Sequence, residues 1–213
     1  GRHGDLNHIL EGNHDIGITS GEVGCVTSHL KAIKQWYETT DTPYAIFAED
    51  DVSFDTARFW NFTWDEFVEK LPYDWDVVQL AIINPGVVYA SMHARWVNDF
   101  STACYMITRH HAKKLIEHHC VGDKFRLDQG VKPRPVADDL IYNCGRTYAI
   151  PLFHYKIELG SSIHPDHIEV FHKGSHKGIL DHWREQLAQM EDQTKLFEYD
   201  PYLGRIPPEC QGK

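Results

Sequence analysis

The chain has 213 residues, 42% hydrophobic and 12% aromatic, enough for one large domain or two small ones with a substantial core, which excludes a disordered chain. Its formal net charge is -10, from 21 Lys and Arg against 31 Asp and Glu, and it carries no dense basic run, so nucleic acid is not the expected partner. Five cysteines without a C-x-x-C pair exclude a zinc ribbon and a disulfide-dense scaffold, and no apolar run approaches the length of a membrane span.

Residues 1 to 19 are rich in Gly, His and Asn without periodicity and read as loop. Thr19-Ser20-Gly21-Glu22 is a helix entry, and Val23, Val26, Leu30, Ile33 and Tyr37 follow in steps of three and four. That spacing predicts an amphipathic helix over 22–38. Asp41-Thr42-Pro43 breaks it, and Tyr44 to Ala48 reads as a buried strand. Thr56 to Leu71 has a helical pattern, with Phe59, Phe62, Phe67 and Leu71 on one side. Asp76 to Ile83 is a near-continuous apolar strand, 84 to 99 an irregular loop, Phe100 to Thr108 a third strand and His110 to His119 the next helix. Residues 120 to 136 read as loop, Asp138 to Asn143 as a short helix and Thr147 to Phe153 as a last strand. Ile179, Leu180, Trp183, Leu187 and Met190 mark a terminal helix. Alternating helices and apolar strands make the chain α/β, with a largely buried sheet.

Chemistry is concentrated where the first strand ends, in Glu49-Asp50-Asp51. Like charges this close raise one another's pKa unless a cation lies between them. Ligands of α/β sheets collect beyond the carboxyl ends of strands, and hard oxygen ligands suit Mg²⁺ or Mn²⁺ bridging to substrate phosphates. Alternation along a strand points Glu49 and Asp51 one way and Asp50 the other, so at most two need be ligands. The bland alternative is a solvated acidic turn. A second acidic pair, Asp138-Asp139, stands where a base or a helix cap would. Cys25 and Cys104 read as buried thiols. His110, His111, His118 and His119 lack a companion carboxylate motif and read as surface residues, and Asn61-Phe62-Thr63 fits a glycosylation sequon that Phe62, in a core stripe, makes weak.

Gly21-Glu22-Val23-Gly24-Cys25-Val26-Thr27-Ser28-His29, the helix, and the strand ending in Glu49-Asp50-Asp51-Val52 together resemble glycosyltransferase family 25, the lipopolysaccharide-biosynthesis and collagen galactosyltransferase group. Its members carry G-E-(I/V)-G-C-x-x-S-H, a helix, and a strand ending in E-D-D-(V/L). Leu71 to Asp76 is similar to the family's L-P-x-x-W-D segment, and Ser101 to Leu115 to its strand-then-helix region, with His111 in place of the usual Gly. Pro135 to Leu140 resembles its P-x-D-(D/E) element, and Gly160 to His164 its short S-S-I element. The resemblance covers residues 18 to 165.

The resemblance implies a single GT-A-like (Rossmann-like) nucleotide-sugar transferase domain over 1–173 with a mostly parallel central sheet, and a helical tail over 174–213. The family's leading strand, which ends in a basic pair and is associated with nucleotide binding, has no counterpart here, so the first β-α unit is expected to be lacking. It implies transfer of a hexose, galactose from UDP-galactose, with inversion and with Mn²⁺ (or Mg²⁺). Asp51, Glu49 and His164 are then the metal residues. Glu49, Asp50, Ser28, His29 and Ser162 are the donor-site residues, and Asp138 or Asp139 is the base. Lys132, Arg134 or Arg146 would assist the diphosphate. The expected acceptor is a saccharide, glycolipid or glycoprotein, with peripheral membrane association one option. The compartment is cytoplasmic for a bacterial-type protein and the secretory lumen for a collagen-type one. Two other classes remain: a metal phosphoesterase, and an inactive transferase-like module that binds glycans.

Overall fold

The computed structural model describes residues 6–13, 15–84, 86, 88–131, 133–156 and 173–199. The chain forms two compact units, Gly1–Ala45 with Ile107–Arg146, and Ile46–Met106 with Thr147–Lys213.

The first unit is organised by helix α1 (Ser20–Thr39), as the periodicity predicts. Thr19 accepts from the Glu22 N–H while Glu22 returns its carboxylate to the Thr19 N–H, a reciprocal cap that satisfies two otherwise orphaned donors. Val23, Val26, Leu30 and Ile33 are buried, and α1 packs on α3 (Arg109–His119) and α4 (Ala137–Tyr142). Four histidines of α3 divide by face, which corrects their reading as surface residues. His110 and His118 are exposed, whereas His111 and His119 are buried beside Ala112 and Leu115. Each buried ring bonds to a backbone carbonyl: His111 Nε2 to Ile141 at 2.9 Å, His119 Nδ1 to Arg126 at 2.9 Å. Eight positions apart, they share one side of a helix, so the apolar stripe includes them. Burial pushes the His119 pKa down, which keeps the ring neutral.

Two stretches read as loop carry short strands. β1 (Leu10–Glu11) pairs in parallel with β8 (Lys124–Arg126), which pairs antiparallel with β7 (Cys120–Val121). Gly12, at φ +87°, ends β1, and a Cβ there would meet Asp128 Oδ2 at 2.6 Å. Only glycine lets that carboxylate close on the Asn13 N–H, at 2.8 Å.

The second unit carries most of the main sheet, whose strand order is β2-β6-β4-β9-β3, with β5 also on β9. These are β2 (Tyr44–Ala48), β3 (Val52–Ser53), β4 (Val77–Ala81), β5 (His93–Ala94), β6 (Cys104–Thr108) and β9 (Thr147–Tyr155); the division between units crosses β2 and β6. β4 and β9 are buried along their whole length and run parallel, Val77 against Thr147. β3 and β5 run antiparallel to β9. The α/β class therefore stands, with a sheet of mixed strand direction. β2 is not the buried strand expected: it is the sheet's edge, and Ile46 is 43% exposed.

The helix expected over 56–71 is two elements. A 3-10 turn at Asp55–Phe59 gives way to α2 (Trp64–Glu69), which Thr63 and Glu66 cap reciprocally. Asn61 breaks the run because its N–H donates to Gln193 Oε1 (2.9 Å) and its side-chain amide to the Met190 carbonyl (2.9 Å). The sequon nitrogen is thus already committed. The terminal helix α5 (Lys173–Glu185) ends earlier than its apolar pattern suggests, and 3-10 turns follow at Leu187–Gln189 and Gln193–Phe197. Trp183, 1% exposed, donates its indole N–H to the Pro151 carbonyl of β9. Phe197 meets Phe62 and Phe67 edge-on, so this segment closes the unit's core. Cys104 is buried, with its thiol pushed up to about 12, whereas Cys25 is only half-buried.

Candidate functional site

The acidic triplet is a tight turn anchored at both ends. On the side of β2, the Glu49 N–H donates to the Ala103 carbonyl at 2.7 Å. The Thr102 hydroxyl donates to Glu49 Oε1 at 3.1 Å. On the far side, Val52 and Ser53 pair with Tyr155 and His154 of β9, and the Lys156 N–H donates to the Asp51 carbonyl at 2.6 Å. The backbone is therefore pinned while the carboxylates project from it. Glu49 and Asp51 are half-buried and Asp50 is exposed, all three in the turn between β2 and β3.

Asp51 is the least satisfied of the three. Its Oδ1 is buried without a hydrogen-bond partner among the described residues. Burial first, then the charges of Glu49 and Asp50, push its carboxyl up to about 6. A buried acceptor with no donor costs about 1–3 kcal/mol. A cation answers both the orphaned oxygen and the like-charge crowding, and the carboxylates of Glu49 and Asp51 suit Mg²⁺ or Mn²⁺. The residues present thus fit a divalent metal.

Behind the turn lies a polar network that sequence reasoning did not anticipate. Gln79 is fully buried in β4, and its amide donates to the carbonyls of Phe100 (2.8 Å) and Ser101 (2.9 Å). Ser101 has φ 100°, a conformation costing a non-glycine residue about 1–3 kcal/mol. Its hydroxyl accepts from the Ala103 N–H at 2.9 Å. Just upstream, the Asp99 carboxylate, fully buried, accepts from Asn84 Nδ2 (3.0 Å), the Trp96 N–H (2.8 Å) and His93 Nε2 (3.2 Å). The signal for this was present: a glutamine in the middle of Val77-Val78-Gln79-Leu80-Ala81 must find polar partners inside the sheet.

Of the remaining candidates, Ser28, His29, Arg134, Asp138 and Asp139 belong to the first unit. Ser28 is exposed on α1 and bonds back to the Gly24 carbonyl at 2.7 Å, and His29 is half-buried. Glu22, 6% exposed, accepts from Arg134 Nη2 at 2.8 Å. Burial raises its pKa, but the Thr19 bonds and the Arg134 charge outweigh that, so it is held below the usual range. Arg134 is therefore engaged by a helix cap. Asp138 and Asp139 open α4, both half-buried. Asp139 accepts from the Arg134 N–H and from Asn143 Nδ2, each at 3.3 Å. Ser162, His164 and Lys132 lie outside the described residues.

The family model described as Glycosyltransferase family 25 (LPS biosynthesis protein) matches residues 6–128, which include the helix-entry motif and the acidic turn. Neither the curated proteins nor the solved structures contain a match to the chain.

Proposed function

This chain belongs to glycosyltransferase family 25 and is a glycosyltransferase, and on that premise we propose that it transfers a hexose from a UDP-sugar, galactose being the donor the family resemblance implies, to a hydroxyl of a saccharide, glycolipid or glycoprotein. The domain is GT-A-like, and the acidic turn at the end of β2 is the diphosphate end of the donor site. The observation that carries this reading is Asp51: a carboxylate with a buried, unpartnered oxygen among the described residues, pushed up to about 6 beside Glu49 and Asp50. Asp51 and Glu49 would hold the metal; the family resemblance adds His164 to them and gives Asp50, Ser28, His29 and Ser162 to the donor. A divalent ion bound there supplies charge neutralisation for the leaving diphosphate.

The chain's own part in the reaction is positioning and proton transfer. Transfer with inversion is a single displacement. The acceptor oxygen bonds to the anomeric carbon as the bond from that carbon to the diphosphate breaks, the electron pair leaving with the diphosphate. The acceptor proton goes to a carboxylate within hydrogen-bond reach. We assign that role to Asp138 or Asp139, the acidic pair that opens α4.

The test is UDP release from a panel of UDP-sugars with Mn²⁺ and candidate acceptors. Release from one donor, lost on adding EDTA and in Asp51→Ala by at least ~100-fold, is the expected result. Undiminished release in EDTA or in Asp51→Ala would sink the metal assignment.

A further inference from the structure

A carboxylate that binds a metal is effective only when its rotamer is fixed before the metal arrives, and such fixing is done by hydrogen-bonded neighbours. Glu49 has that kind of neighbour. Thr102, 5% exposed, donates its hydroxyl to Glu49 Oε1 at 3.1 Å. The next residue's carbonyl, Ala103, accepts the Glu49 N–H at 2.7 Å. Side chain and backbone of Glu49 are thus gripped by two consecutive residues of one segment.

That segment is itself held against its preference. Ser101 sits at φ 100°, where backbone strain persists only if the surroundings impose it. Gln79, fully buried, does so by donating to the Phe100 and Ser101 carbonyls, and the Ser101 hydroxyl closes the turn on the Ala103 N–H. An unstrained path would carry Thr102 past Glu49 differently. Strain, a buried amide with no catalytic use, and a hydroxyl aimed at one carboxylate oxygen converge on the same point.

We infer that Thr102 is a positioning residue for the metal and diphosphate site, orienting Glu49 from a strained turn that Gln79 clamps. This rests on the reading of the acidic turn as a metal site. Thr102 touches neither donor nor acceptor in this assignment; it acts through Glu49.

The experiment compares Thr102→Val, which keeps shape and removes the hydroxyl, with Thr102→Ser, which keeps the hydroxyl. Free Mn²⁺ is titrated into each full chain and followed by electron paramagnetic resonance, with thermal unfolding recorded in EDTA. Thr102→Val should weaken Mn²⁺ binding about tenfold, Thr102→Ser should restore it to within about twofold of wild type, and both variants should still unfold cooperatively without metal. Asp51→Asn run alongside separates the two claims. Wild-type affinity in Thr102→Val, with binding lost in Asp51→Asn, overturns the positioning role alone. Weakening that Thr102→Ser fails to restore also overturns it, since packing would then be the cause. No Mn²⁺ binding by the wild-type protein overturns the positioning role and the metal reading together.

Discussion

The chain has two acidic clusters that look alike as text and differ as chemistry. At Glu49-Asp50-Asp51 the backbone is pinned on both sides, but Asp51 retains a buried oxygen with no donor among the described residues, and its pKa is pushed up to about 6. At Asp138-Asp139 the carboxylates open a helix, whose N-terminal N–H groups favour negative charge. There Asp139 is met by a backbone N–H and an amide. One cluster is left electrostatically frustrated and the other is largely answered by its own unit. The difference shows that proximity of carboxylates does not by itself leave charge unmet; desolvation at a rigid position does.

The largest predicted effect sharpens this contrast within the second cluster. Replacing the base, by Asp138→Asn or by Asp139→Asn, should lower kcat by ~10²–10⁴, the usual contribution of a general base. The other member of the pair should stay within about tenfold of wild type, as a carboxylate that only caps the helix would. Steady-state rates of UDP release measure both. Wild-type rates in both variants would overturn the assignment of the base to this pair.

A stability measurement probes the frustrated cluster without any substrate. Asp51 has a folded pKa of about 6 against an ordinary value of 3.8, so between those values the folded state holds more protons than the unfolded. Stability then falls as pH rises through this window. Asp51→Asn should match wild type near pH 4 and exceed it by about 1–2 kcal/mol at neutral pH in EDTA, after discounting the shift for solvent screening. Adding Mn²⁺ should raise the wild-type melting temperature and leave the variant's unchanged. A variant no more stable than wild type at neutral pH would show that the turn is not strained by charge.

The smallest effect belongs to the helix-entry motif. Glu22 caps α1 and pairs with Arg134, and its folded pKa lies below the usual 4.5. Its stabilisation is present above that usual value and is lost as pH falls through the depressed one. Glu22→Gln should cost about 1 kcal/mol at neutral pH and nothing in strong acid, where the carboxyl is protonated in both states. Denaturant midpoints at the two pH values check this. An equal deficit in acid would point to shape, not charge.

Much of the architecture was legible because its causes are local. Thr19, Glu22 and the stripe from Val23 to Ile33 define α1 through a cap and a period, both confined to one stretch of chain. Val77 to Ala81 and Thr147 to Phe153 read as strands because burial on both faces requires unbroken apolar sequence. Where a distant partner decides, the reading failed. Asn61 ends its helix on Gln193, β1 exists by virtue of β8, and His111 and His119 are buried by carbonyls of other elements. Membership of the family was also legible, in the helix-entry motif and the acidic turn.

For the site, composition and order of residues alone determined that Glu49, Asp50 and Asp51 would be crowded at a strand end, since neighbours in sequence cannot separate their charges. Only the tertiary structure decided which of them is left unmet and what holds the others. Asp51 is desolvated by its burial in the fold, and Glu49 is held by Thr102 and Ala103 from a turn clamped by Gln79. Charge density is a property of the text, whereas desolvation and hydrogen-bond partnership come from chain segments far apart in it.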